Sequence, residues 1–340
     1  MAWLSAGAVV AVPVCAGFAE EDEAMSDSRN AEKWFWVEVL GGLLLLAFMT
    51  WLWDTQIQIS LWVVALLMLS PLLLIRIGER FRLGISGWGK MVAPHAIAST
   101  LLAISFLNPP SMVSSAYAVP WFIIRLAVLF DVMLTWRQLP IKTPGQLCFD
   151  FAFIFPAIGA AWLVAQRANW TPFGFDPLIV LLTAAHFHHA GFTLPLMAGL
   201  NAKAAPGCWT QFSCVAILAG VPLVAAGITC THFGVLRFVE PFGVTVLVLG
   251  ALGVAVSQIR RGMEKQYGWL VRAGFVISGI SLLSAMVLAM GFGLRHVVPN
   301  WALTMPQMWM IHGTLNAFGF GLCGLLAWRG ALKPVSTLKD

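Results

Sequence analysis

The chain has 340 residues, of which 59% are hydrophobic and only 10% are charged, whereas a soluble domain carries about 25% charged residues. Several apolar stretches approach the roughly 20 residues that a helix needs to cross a bilayer, and they are too long and too continuously apolar for alternating barrel strands. The composition therefore excludes a soluble domain and predicts an all-α, polytopic membrane protein. The net charge is +5, but the sequence has no basic patch interleaved with aromatic residues, so the charge does not indicate nucleic-acid binding.

The N-terminal segment, residues 1–33, is expected to be cytoplasmic or dispensable. Residues 1–18 are apolar, but they lack a basic start and are followed by an acidic run, so they make a poor signal peptide and a short spanning helix. A polar segment opens at Met25 and leads directly into the first long apolar stretch. We expect Met25 to be an alternative start and residues 1–24 to be dispensable or disordered.

Ten apolar stretches make up the predicted transmembrane domain, residues 34–329, and residues 330–340 form a predicted cytoplasmic tail. The predicted spans are 35–53, 59–75, 92–107, 120–136, 147–165, 177–199, 210–230, 241–258, 268–291 and 304–328. The connections between them are short, which favours a compact bundle of about ten transmembrane helices.

Lys and Arg are distributed unevenly between the two alternating sets of predicted loops. One set contains Arg167, Arg237 and Arg295. The other set is much richer and contains Arg76, Arg80, Arg82, Lys90, Arg137, Lys142, Lys203, Arg260, Arg261, Lys265, Arg272, Arg329, Lys333 and Lys339. Because cytoplasmic loops carry the excess of Lys and Arg, the richer loops and both termini are expected in the cytoplasm. The bacterial inner membrane is the expected location, and the lipid bilayer is the one partner that the sequence indicates.

Three histidines lie inside the sixth predicted span, where residues 185–192 read AHFHHAGF. Histidine in hydrocarbon is costly unless it faces the protein interior, a partner or a cofactor. His186 and His189 are three residues apart and share a helix face, whereas His188 points away from both. This spacing predicts a polar site inside the membrane.

The last predicted span carries His312 and Asn316, which are four residues apart and share a face. At 1.5 Å per residue, His186, His189 and His312 lie roughly 12 to 18 Å from the outer ends of their spans. The three side chains are therefore expected in one layer, between the outer half of the membrane and its midplane.

Asp131 falls at a similar depth in the fourth predicted span and is the candidate carboxylate for this layer. Arg125 is six residues away from Asp131 and hence on another face, so each is expected to pair elsewhere or to take part in function. His95 and Asp150 lie near cytoplasmic ends of their spans and are expected to reach water.

These side chains suit two kinds of cofactor. Imidazoles bind Zn, Cu and haem iron, and two histidines at equal depth on different helices are what bis-histidine ligation of haem b requires. The candidate haem ligands are His186, His188 and His312. The candidate ligands of a Zn or Cu ion with an open position for water are His186, His189, His312 and Asp131, with Asn316 as a supporting side chain.

Three functional classes remain open on the sequence alone. A haem or metal site would serve electron transfer, sensing or membrane-embedded enzyme chemistry. A transporter or channel would use the histidines and Asp131 to relay protons or to bind a substrate. In a structural or assembly protein, the histidines would form hydrogen bonds between helices and fix their packing.

Two segments carry a resemblance to a known family. Residues 185–192 and residues 312–320, which read HGTLNAFGF, resemble the YndJ-like family of bacterial membrane proteins. The resemblance covers most of the membrane region in general character, and it implies a fold and a location rather than a reaction.

A second resemblance is shorter. Residues 185–188 are similar to the His-Phe-His helix of the haem–copper oxidase central subunit, whose two histidines bind two haems, and His312 with Gly313 is similar to another haem-ligating helix there. The chain has no separate His-His copper motif and no His-x-x-x-Tyr, so oxygen reduction is not expected. This resemblance implies that His186 or His188, with His312, would hold one haem.

Overall fold

The computed structural model describes residues 70–137 and 142–332. The N-terminal segment 1–33, the predicted span 35–53, most of the span 59–75 and most of the predicted tail lie outside these residues. The two described ranges contain helices joined by short turns, as the composition predicted.

The described helices are α1 (Ser70–Phe106), α2 (Met112–Trp136), α3 (Pro144–Arg167), α4 (Pro177–His189), α5 (Thr193–Ala204), α6 (Cys208–His232), α7 (Val239–Gly262) and α8 (Trp269–Gly293). The final element, α9, covers residues 305–331. It joins Met305–Gln307, the π-helical turns Met308–His312 and Leu315–Leu322, and Cys323–Ala331.

Several of these helices begin at residues that satisfy free backbone N–H groups. The Ser111 side chain accepts a hydrogen bond from the Ser114 backbone and opens α2. Thr143 and Gln146 form a reciprocal capping box at the start of α3, and the Asp176 side chain accepts from the Leu178 backbone before α4. Such caps stabilise helix ends by about 1 kcal/mol each.

The chain reverses direction within α1. Sixteen residues of straight helix would separate Glu79 from His95 by about 24 Å, yet Glu79 Oε2 lies 3.3 Å from His95 Nδ1. Ser70 contacts His189 inside α4, whereas Arg82 contacts Asp131 near the end of α2. The first arm of α1 therefore runs toward the end of α2, and its apolar second arm, Ala93–Phe106, returns beside it.

Six stretches of the described residues are long and apolar enough to span a membrane, with α4 and α5 counted together, and the bent region that contains α9 would make a seventh. This supports an all-helical, multi-pass membrane protein. The predicted count of ten spans and the cytoplasmic position of both termini stay predictions. The fourth span differs in its start, because α2 begins at Met112 and not near residue 120.

Two of the spans are interrupted, and each interruption follows a histidine. The first separates α4 from α5 at residues 190–192, where the Gly191 N–H donates to the His186 carbonyl over 2.9 Å. A Cβ at Gly191 would lie only 2.6 Å from the Phe187 carbonyl oxygen, so the close turn requires glycine. The second lies just after His312, where the segment Pro299–His312 meets Leu315–Ala331 at 41°.

Helix α5 lies at the centre of the described bundle. Its residues 193–202 are all buried, and it contacts α3, α6 and α7. The helix ends that carry Arg137, Lys203, Arg260 and Arg329 lie on one side of the bundle, because contacts join the end of α2 to the start of α3, the start of α3 to the end of α5, α5 to α7 near their ends, and the end of α7 to the end of α9. We call this side the basic face.

Candidate functional site

His188 is held by hydrogen bonds at both ring nitrogens. Its Nδ1 lies 2.8 Å from the Ala184 carbonyl oxygen, which can only accept, so Nδ1 carries the proton. Trp121 Nε1–H donates to His188 Nε2 over 3.0 Å. His188 is thus a neutral, buried imidazole whose Nε2 lone pair is already used, and it does not serve as the predicted haem ligand in this arrangement.

His189 faces α1. Its Nε2 lies 3.2 Å from Ser70 Oγ, and both side chains are buried. Sequence spacing placed His189 on the same helix face as His186, but the two rings have different partners: His186 Nδ1 donates to the Leu182 carbonyl over 2.8 Å. The three histidines of this segment therefore do not converge on one point.

His186 and His312 are neighbours across two helices. Helix α4 contacts the π-helical part of α9, so the two imidazoles lie on helices that pack against each other. His312 Nδ1 donates to the Ala285 carbonyl of α8 over 3.0 Å. In both rings the backbone carbonyl holds Nδ1–H, which leaves Nε2 available; His186 is exposed and His312 is half-buried.

Asn316 supports the helix rather than a ligand. Its Nδ2 donates to the backbone carbonyl of His312 over 2.8 Å. This hydrogen bond lies across the turn where the span is interrupted, so Asn316 helps to stabilise that turn. Its partner is the His312 backbone and not the imidazole ring.

Asp131 is not a partner of the histidines. Its carboxylate lies 2.6 Å from Arg82 Nη2, and its side chain is 58% exposed. In the described residues no group of three or more His, Cys, Asp or Glu side chains is arranged to hold a metal ion. The expected metal-ligand set of His186, His189, His312 and Asp131 is thus corrected: depth along a span placed Asp131 with the histidines, but its helix face turns it to Arg82.

A buried ionic network that the sequence analysis missed lies beside His188. Arg125 Nη1 donates to Glu79 Oε1 over 2.7 Å and Nη2 donates to His95 Nε2 over 2.8 Å. Because arginine only donates, His95 accepts at Nε2 and carries its hydrogen on Nδ1, which lies 3.3 Å from Glu79 Oε2. The three side chains are at most 1% exposed.

Trp121 joins this network to His188. The Arg125 guanidinium lies 4.4 Å from the centre of the Trp121 ring, and the His95 ring meets the indole edge-on at 5.8 Å. The expectation that His95 reaches water is wrong, because α1 folds back and buries it against α2. Asp150 is also buried, where it accepts hydrogen bonds from Trp136 Nε1 and Lys142 Nζ.

One sequence signal could have indicated the network. Arg125 lies near the middle of a span, where an unpaired cation is costly, so a buried carboxylate partner was to be expected. Glu79 is four residues beyond the predicted span 59–75, and only the reversal of α1 brings it to Arg125.

Comparison with known proteins fits these observations. A family model described as YndJ-like protein matches residues 60–320. The chain belongs to the YndJ-like family. This confirms the resemblance inferred from residues 185–192 and 312–320, both of which lie inside the matched region.

A relative in the YndJ-like family is the Bacillus subtilis (strain 168) protein named uncharacterized membrane protein YndJ. The two sequences are 29% identical over 212 residues, which are 62% of this chain and 37% of that protein. The chain thus corresponds to little more than a third of that relative's length. No solved structure matches the chain.

In this YndJ-like protein, the buried network beside His188 and the pair His186 and His312 differ in how their hydrogen-bonding groups are used. Glu79, Arg125, His95 and His188 satisfy one another and Trp121, so they stabilise the contact of α1, α2 and α4. His186 and His312 each keep one ring nitrogen for a further partner, at the point where two spans are interrupted. His186 and His312 are the candidate functional site.

Proposed function

We propose that this YndJ-like protein is a membrane transporter that binds a proton at the pair of imidazoles formed by His186 and His312. The proposal is supported by the position of His186 and His312 on contacting helices, each close to the interruption of its own span. Interrupted spans near the midplane are a recurring feature of transporter binding sites, and intramembrane histidines are typical members of proton relays.

The hydrogen bonds of the two rings support proton binding. Each Nδ1–H is committed to a backbone carbonyl, Leu182 for His186 and Ala285 for His312, so Nε2 is the atom that gains and loses the proton. Two imidazolium ions side by side repel each other, so the pair is expected to hold one added proton.

The test is proton flux through the full chain in liposomes. The protein would be reconstituted with a pH-sensitive dye inside the vesicles, and a potassium gradient with valinomycin would supply the driving force. We expect His186→Gln and His312→Gln to abolish protein-dependent acidification. His232→Gln is the matched control, because His232 is exposed at the end of α6, and it should leave flux unchanged.

Two results would contradict the proposal. One is a wild-type protein that folds and inserts but gives no flux above empty vesicles. The other is flux that persists at the wild-type level in both histidine variants, which would place the proton route elsewhere.

The same pair favours a second candidate, a haem or transition-metal site. Histidines that bind metals almost always donate the other ring N–H to a carboxylate, carbonyl or water, which is the state of His186 and His312. Two imidazoles are fewer than the three protein ligands of a catalytic zinc site, so the form that we propose for this candidate is haem b or copper held by His186 and His312. A Soret band, or copper bound at one equivalent, that is lost in His312→Ala would establish this candidate in place of proton transport.

A further inference from the structure

A second polar cluster lies near the basic face, away from the histidine pair. It consists of Asn201 on α5, Gln258 and Arg261 on α7, and Trp328 on α9, which are all at most 8% exposed. In the described part of the chain, hydrogen-bond partners are absent for Asn201 Nδ2 and Oδ1, Gln258 Oε1, Arg261 Nε and Trp328 Nε1. Buried polar atoms without partners are rare in proteins and call for an explanation.

The side chains from α5 and α7 lie at the same level. Gln258 Nε2 is 2.8 Å from Met197 Sδ, which fixes the two helices against each other at this point. Both helices run toward the basic face. Asn201 is one turn beyond Met197 and Arg261 is one turn beyond Gln258, so the Asn201 amide and the Arg261 guanidinium come level with each other.

Helix α9 closes the cluster from a third side. The Arg261 guanidinium lies 4.6 Å from the centre of the Trp328 ring. One turn earlier, a Cβ at Gly324 would lie only 2.5 Å from Met197 Cε, so α9 approaches α5 closely here. The unpaired atoms of Asn201, Arg261 and Trp328 thus belong to one junction of three helices.

The charge of this junction favours an anion. Arg261 donates to the Tyr267 hydroxyl over 3.2 Å and forms no ion pair within the described ranges. Lys203, Arg260, Lys265 and Arg272 lie at the surrounding helix ends. Glu264, three residues beyond Arg261, has a carboxylate that accepts a hydrogen bond from Gln266 over 2.6 Å.

We infer that this junction is a binding site for a phosphate-type oxyanion, formed by Asn201, Gln258, Arg261 and Trp328. Asn201 Nδ2, Arg261 Nε and Trp328 Nε1 donate to the oxyanion, and Asn201 Oδ1 and Gln258 Oε1 accept from a protonated phosphate oxygen or from water. Basic pockets between membrane helices bind phospholipid headgroups, and dissolved phosphate offers the same chemistry.

Two binding measurements on the delipidated full chain in detergent test the inference. Calorimetric titration uses inorganic phosphate as the probe, and native mass spectrometry uses phosphatidylglycerol. A hydrogen bond to a charged group contributes about 1.5–3 kcal/mol, so Arg261→Gln should weaken binding by about tenfold or more. Arg260→Gln, which removes the same charge at the exposed neighbouring position, should weaken it by less than about threefold.

A second variant keeps the test independent of the folding of Arg261→Gln. Asn201→Leu has a similar volume and no polar atoms, and we expect it to weaken binding while the thermal unfolding temperature stays near that of the wild type. Binding of phosphatidylglycerol alone would identify a lipid headgroup as the source of the anion, and binding of inorganic phosphate alone would identify a soluble anion.

The inference is overturned if neither probe binds, or if Arg261→Gln and Arg260→Gln weaken binding equally, because general basic charge would then explain the effect. These measurements do not depend on proton flux, so the outcome is separate from that of the histidine pair.

Discussion

Removal of the Arg125 guanidinium should be one of the most damaging single changes in the described bundle. Arg125→Met keeps much of the side-chain length but leaves the Glu79 carboxylate buried without its 2.7 Å donor and His95 without its 2.8 Å donor. Breaking a buried ion pair in this way costs about 3–5 kcal/mol. Loss of the guanidinium stacked 4.4 Å from the Trp121 ring adds about 1–2 kcal/mol.

The assay is equilibrium unfolding in mixed detergent micelles, followed by the fluorescence of the 16 tryptophans. Arg137→Met is the matched control, because it makes the same substitution at the exposed end of α2 and should change the free energy of unfolding by less than about 0.5 kcal/mol.

A double variant tests whether the ion pair is the cause. Glu79→Gln combined with Arg125→Met removes both charges, so its loss should be smaller than the sum of the single losses by about 1–3 kcal/mol. The ion pair is not the cause if Arg125→Met and Arg137→Met lower the free energy of unfolding equally. The same conclusion follows if the losses of the two single variants simply add in the double variant.

Two further changes test contacts between the described helices. Trp121→Phe removes the N–H that donates to His188 Nε2 and should cost about 1–3 kcal/mol, whereas Trp170→Phe, at an exposed position, should cost little; equal losses would show that the hydrogen bond is unimportant. Gly227→Ala would place a Cβ 2.3 Å from Glu240 Cα and force α6 from α7, at a cost of about 1–3 kcal/mol. Gly268→Ala has no atom within 4 Å of the added Cβ, so a similar fall in stability for both alanines would contradict the packing argument.

The helical membrane fold could be predicted from the sequence because the bilayer imposes it. Apolar stretches of sufficient length must form helices there, and the described helices α3, α6, α7 and α8 begin and end within a few residues of the predicted spans. The start of α2 was predicted too late because Ser114 and Ser115 look like loop residues. Their hydroxyls instead donate to the carbonyls of Pro109 and Val164, so the helix accommodates them.

The candidate site could be predicted only in part, because helical spacing gives the depth and the face of a side chain but not its partner. Spacing separated His188 from His186 correctly, and the structure gives the two rings different partners. Spacing could not show that Arg82 forms an ion pair with Asp131 or that Arg125 forms one with Glu79. Both of those contacts depend on where α1 reverses, and that turn lies between apolar stretches whose packing the sequence does not specify.

The distinction between satisfied and available polar groups explains why one bundle tolerates so many of them. Glu79, Arg125 and His95 compensate one another in a place where each alone would be very costly, so substitutions there should act on the free energy of unfolding. His186 and His312 each keep an available Nε2, so their substitution by glutamine should leave the described packing largely intact and act on proton binding. The two sets of variants should therefore separate, with stability lost in one and flux lost in the other. If the histidine variants unfolded as readily as Arg125→Met, the pair would belong to the structural network and the proposed proton site would have no support.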